Sequence, residues 1–173
     1  MRNIEILGIV LPLLAYLPTE ALGGVETISA NMPAEIRAED KADCRGIQAD
    51  DADGLINCRY EKLRNEKRRN ELIREFITSD LKHESEEYSE VEDRAPLFIE
   101  SNEHWEKFSK ITCESISADP NRPNSKYVMD ERNSCWISLY VHYSKILIEQ
   151  YRNGIEREYL RRSKLGKRTG ANR

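Results

Sequence analysis

The chain has 173 residues, a formal net charge of −4, and 39% hydrophobic against 34% charged residues. That length holds one domain with a modest core. The mild acidity argues against nucleic acid as the main partner and favours a basic one.

Ile6 to Leu17 is an apolar run with Arg2 ahead of it and the small residues Ala21, Gly23 and Gly24 behind it. This is the pattern of a signal peptide over residues 1–23, cleaved near Ala21 or Gly23. An uncleaved anchor is the alternative, although the run is shorter than the ~20 residues a spanning helix needs. No other segment is long and apolar enough to cross a membrane, so no transmembrane span is expected after leader removal. The leader carries Arg2, Glu5 and Glu20, a net of −1, which leaves the mature chain at about −3. The expected location is periplasmic or secreted.

Residues 24–43 show no apolar period and read as an extended lead-in. A first helix is predicted from about Gly54 to Thr78, with Asp53 as its N-cap. Its apolar positions are Leu55, Ile56, Tyr60, Leu63, Leu72, Ile73, Phe76 and Ile77, while Arg64 to Glu71 is wholly polar. That middle reads either as a solvated helix or as a break near Asn65 to Asn70. Ser79 to Arg94 is crowded with carboxylates and reads as a solvated acidic insertion, or as a landing strip for a cationic partner. A second helix starts near Pro96, a residue suited to a first turn. Phe98, Trp105, Phe108, Ile111 and Thr112 recur along it close to helical spacing. The prolines and asparagines of Asp119 to Asn124 impose a loop over Ser117 to Ser125.

The third helix is the clearest. Trp136, Leu139, Tyr140, Tyr143, Ile146, Leu147, Tyr151 and Ile155 form a stripe of period near 3.6 from Cys135 to about Leu160, which Gly154 leaves intact. Residues 161–173 read as a basic flexible tail, with an anionic surface such as membrane or glycan as its other reading. The fold class is therefore all-α: a small disulfide-linked helical bundle of about three main helices over residues 44–160.

An even cysteine count behind an export signal reads as a disulfide framework. Four cysteines allow three connectivities. Proximity favours Cys113 with Cys135, which staples a helical hairpin, and Cys44 with Cys58, which fastens the lead-in to the first helix. Zinc is a poor alternative, because no Cys-x-x-Cys occurs. His83, His104 and His142 form no zincin pair, and no nucleophile elbow, phosphate loop or dinucleotide fingerprint is present. The expectation is a binding protein with no catalytic residue, cofactor or metal. Trp105 and Trp136, each near a cysteine, are expected in the core.

Asn102, Trp105, Phe108 and Cys113, with Cys135 opening the terminal helix, resemble the signature of the lysozyme inhibitor LprI-like family of small exported bacterial domains. Cys44, Gln48, Leu55, Asn57 and Cys58 resemble its paired N-terminal cysteines. The resemblance covers about Cys44 to Tyr151. It departs at Ser109, where the family carries Arg, and in the first helix, where Arg69-Asn70-Glu71-Leu72-Ile73 is the nearest stretch to the family's Leu-Asn-x-x-Tyr. It implies an all-helical, disulfide-linked fold and, more loosely, inhibition of a lysozyme. Lysozyme cuts with two carboxylates in a cleft. Inhibition would come from occluding that cleft, with Arg122 in the stiff loop facing the carboxylates. The alternative is a structural or adaptor module of the cell envelope, whose partner is another cell-wall protein.

Overall fold

A computed structural model describes residues 32–37, Cys44, Ile47, 51–116 and 126–170. Among the described residues the chain is all-α, with helices α1 (Ala34–Arg37), α2 (Ala52–Glu87), α3 (Ala95–Ile116) and α4 (Lys126–Gly170) and no strand. The expected leader, most of the lead-in and the loop holding Arg122 lie outside the described residues.

Helix α2 starts earlier than the sequence suggests. Asp51, not Asp53, is its N-cap, and Asp51 Oδ1 accepts from the Gly54 N–H at 2.8 Å. The polar stretch Arg64 to Glu71 does not break it, because part of that stretch faces inward. Glu66, Arg69 and Asn70 are buried. Arg69 Nε donates to the Ile36 carbonyl at 2.8 Å, and Arg69 Nη1 meets Glu66 Oε2 at 3.2 Å. Asn70 Nδ2 donates to Ser144 Oγ at 3.1 Å. Each of these three side chains thus has a partner, the condition for its burial, and Asn70 Oδ1 is the one atom among them left without a bond.

The helix also runs past Thr78 and absorbs half of the supposed acidic insertion. Asp80 and Leu81 are buried, and Arg157 clasps the Asp80 carboxylate with two bonds, of 3.1 and 2.7 Å. Only residues 88–94 form a connection, closed by the Val91 N–H donating to the Tyr88 carbonyl at 2.9 Å.

Helix α3 has Pro96 in its first turn, and Asp93 Oδ1 accepts the Ala95 N–H at 2.9 Å. Its inner line is Phe98, Asn102, Ser109 and Cys113, all buried. Phe108 and Ile111, which recur close to helical spacing with Phe98 and Trp105, are 59% and 69% exposed. At about 100° per residue both fall roughly 100° or more from the inner line, so they cannot share its face.

Helix α4 begins well before Cys135, runs beyond Leu160, and is broken at Tyr151 (φ −116°, ψ 19°). Ahead of the break it rises alongside α2: Arg59 bonds Asp130 at 2.8 Å, and Asn70 bonds Ser144. Beyond the break the order falls. Ser79 donates to Glu158 Oε1 at 2.8 Å, and Arg162 Nη1 donates to Glu75 Oε1 at 2.7 Å. The second half of α4 therefore folds back across α2. The expected continuous third helix is two segments, and the expected flexible tail is helical up to Gly170. Arg161 and Arg162 both bind Glu158, at 2.6 and 2.7 Å, and the Arg162 guanidinium lies 4.3 Å from the centre of the Phe76 ring. Burial alone would raise the Glu158 pKa. Hydrogen bonds from Arg162, Ser79 and Arg161 override it and hold that carboxyl below the usual range.

The hydrophobic core sits at one end of the bundle. It joins Met32, Ile36, Ile73, Phe76, Ile77, Leu81, Ala95, Phe98, Leu147, Ile148 and Ile155. The opposite end, where α2 and α4 begin and α3 finishes, is held by polar pairs such as Arg59–Asp130 and Lys126–Asp53 (2.6 Å). Both disulfides lie there, in the pairing that proximity favours: Cys44–Cys58 with Cα atoms 5.9 Å apart, and Cys113–Cys135 at 5.6 Å.

Two outcomes follow from this division. Cys113→Ser with Cys135→Ser should cost about 3 kcal/mol in urea unfolding by the chain-entropy model. Hydrogen exchange should rise first at the end of α3 and the start of α4, while Ile73 to Ile77 stay protected. Gly154→Ala places a Cβ 2.5 Å from Asp80 Oδ2, which forces the carboxylate off Arg157. Thermal unfolding should show a loss of roughly 1–3 kcal/mol in place of the usual helix gain of about 1 kcal/mol.

Candidate partner-binding surfaces

The residues that carried the family signature part into two groups. Asn102, Trp105, Ser109 and Cys113 face inward and fasten α3 to α4. Asn102 Nδ2 donates to the Phe98 carbonyl at 2.6 Å, and Asn102 Oδ1 accepts from the Tyr143 hydroxyl at 2.8 Å. Trp105 stacks on Tyr143 with centroids 4.2 Å apart and planes 10° apart, and Tyr140 lies 5.2 Å away on a tilt. Trp136 stacks on Tyr140 at 5.7 Å and extends the ladder toward the Cys113–Cys135 bridge. Ser109 Oγ donates to the Trp105 carbonyl at 2.7 Å, a bond back to the preceding turn. Both tryptophans are half-buried: they close the seam between two helices and do not fill the core. This group is a clasp. Phe108, the remaining signature residue, points to solvent.

Burial holds the Tyr140 hydroxyl above the ordinary phenol range, and the Glu106 carboxylate adds to the effect. Burial does the same for Tyr143. The stack is therefore neutral at physiological pH, and its hydroxyls keep their protons for donation.

The turn between α2 and α3 is an acidic tip. Glu84, Glu86, Glu87, Glu90, Glu92 and Asp93 fall within ten residues that contain no Lys or Arg. Tyr88 ends α2, its N–H donating to the Glu84 carbonyl at 3.0 Å, and stands 55% exposed. Arg94 is drawn in to Glu84 and braces the two helix ends. Glu86, Glu87, Glu90 and Glu92, on either side of Tyr88 in the chain, are all exposed. The sequence marked this acidity but not the aromatic knob at its centre. Tyr88 had no helical partner in the pattern, so periodicity could not find it.

A second surface lies on the outer side of α3, where Leu97, Phe108 and Ile111 are all more than half exposed. Elsewhere, a groove of about 1310 Å³ runs between α1, α2 and the returning half of α4. Its Glu66 and Arg69 are paired along α2, and its Arg162 is paired with Glu75 across it.

No family model, no curated protein and no solved structure matches this chain.

The clasp carries a pH signature. The folded-state pKa of Tyr143 lies above its ordinary value of 10.0, so its contribution to stability is complete below that pH and is lost as the pH rises through the folded value. Tyr143→Phe should cost about 1–3 kcal/mol at neutral pH, because Asn102 Oδ1 loses its donor. It should also flatten the alkaline fall of the melting temperature. A melting curve at several pH values checks both.

Proposed function

We propose that this chain is an exported binding protein that holds a basic cell-wall protein through the acidic tip, with a lysozyme as the partner that the LprI-like resemblance suggests. The observation that carries the reading is Tyr88, exposed where α2 ends and flanked along the chain by the exposed Glu86, Glu87, Glu90 and Glu92. Carboxylates steer a cationic protein toward the tip and raise the association rate. A tyrosine among such carboxylates supplies a large rigid contact of the kind that dominates interface energy. Two disulfides support a location outside the reducing cytosol, the periplasm or the medium.

The tip has the wrong sign to enter a cleft lined by catalytic carboxylates. It therefore grips the basic surface beside the cleft, and the disulfide-stapled bundle excludes the substrate. Arg122, in the loop over residues 117–125, has the right sign to approach the cleft itself.

The test is the clearing of a cell-wall suspension by lysozyme with and without the mature protein, together with direct binding by calorimetry. The expected result is slowed clearing, at least tenfold weaker binding for Tyr88→Ala, and binding that falls with added salt. Binding that leaves clearing unchanged would favour the adaptor reading. Absence of binding to lysozyme would remove that enzyme as the partner, and full affinity in Tyr88→Ala would remove the tip.

A further inference from the structure

We propose that the outer face of α3 is a homodimer interface, in which two copies lay α3 against α3 antiparallel across a two-fold axis near His104. The first observation is apolar. Leu97, Phe108 and Ile111 are 63%, 59% and 69% exposed and fall on one line of the helix at about 100° per residue. That line faces away from Phe98, Asn102, Ser109 and Cys113, which are buried against the rest of the chain. It is the face that an amphipathic helix normally fills with polar residues. Here it holds three large apolar side chains over a span of about 21 Å at 1.5 Å per residue.

The second observation is charge. Glu100 lies on one flank of this line in the first half of α3, and Lys107 lies on the same flank in the second half; both are exposed. In an antiparallel helix pair the same flank of each helix meets its own copy, with the order reversed. Glu100 of one copy is then set against the partner's Lys107, twice over by symmetry. One register satisfies both observations. Leu97 packs on the partner's Ile111, His104 lies beside its own copy at the axis, and Phe108 packs over the partner's Ser101, a residue small enough to receive a ring.

A parallel pairing would carry the Glu100 and Lys107 flank of each copy to opposite sides of the interface, so that neither Glu100 meets a Lys107. It would also bring the two acidic tips together. The antiparallel pairing sends the tips to opposite ends, each next to the half of the partner's α3 that carries Lys107 and Lys110. Charge therefore selects both the occupant, a second copy of this chain, and its direction. The surface is separate from the acidic tip and does not depend on the function proposed for it.

The test is sedimentation equilibrium of the mature protein with native disulfides at roughly 1–100 µM, the range in which a small interface of this class is populated. The expected result is a reversible monomer–dimer equilibrium. Phe108→Asp should weaken it at least a hundredfold. Its monomer should melt as the wild-type monomer does, because Phe108 makes no core contact. Glu100→Lys and Lys107→Glu should each weaken the dimer about tenfold, and the two together should restore it to within about threefold. A monomer throughout the range would overturn the proposal. A dimer indifferent to Phe108→Asp, or single charge variants that the double variant does not rescue, would overturn it equally.

Discussion

The fold rests on a division between two kinds of restraint along one bundle. Apolar burial is concentrated where the middle of α2, the start of α3 and the break in α4 converge on Ile73, Ile77 and Ile155. Toward the other end the Trp105, Tyr140 and Trp136 rings join α3 to α4, while α2 meets α4 through pairs such as Arg59–Asp130 that lie partly in solvent. Such pairs contribute little on their own. The sulfur bridges Cys44–Cys58 and Cys113–Cys135 are placed at that end, and they act mainly by restricting the unfolded chain. Core and disulfides thus supply stability to different halves, and neither half could dispense with its own source.

Between the two lies a set of buried ionic and amide groups that determines how the helices register. Asp80, Glu66, Arg69 and Glu158 are all almost fully buried, which is unfavourable unless each is paired and hydrogen-bonded. Asp80 is satisfied only if α4 turns at Tyr151 and brings Arg157 over it. Glu158 is satisfied only if the returning segment also reaches Ser79. The fold-back is therefore specified by electrostatics as much as by the apolar contact of Ile155. Gly154, packed against the Asp80 carboxylate, leaves the room for it.

The acidic turn and the exposed apolar line both lie on or beside α3. Its inner face is occupied by the Asn102–Tyr143 bond and the Trp105 stack, so what it can offer is its outer line and the acidic turn leading into it. In an antiparallel dimer the two turns point outward from opposite ends. Such an assembly presents two copies of the same knob and gains avidity for a partner displayed repeatedly on a wall or surface.

Much of this was readable from the residues alone. The all-α class, the Pro96 start of α3, the stripe of α4 and the local pairing of the cysteines follow from periodicity, turn chemistry and proximity, which are local properties. What periodicity could not tell was which charged residues would be buried. Arg64 to Glu71 and Ser79 to Glu87 look solvated in sequence because the partners of Arg69, Asn70 and Asp80 lie 33 to 77 residues away. Phe108 shows the limit of spacing from the other side: it recurs near helical spacing with Phe98 and Trp105, yet α3 turns it outward. The sequence by itself thus determined the helices and their staples. Only the tertiary structure decided which face of each helix is inside, where α4 reverses, and which carboxylates are buried rather than displayed, because those depend on long-range pairing of charges in a low-dielectric interior.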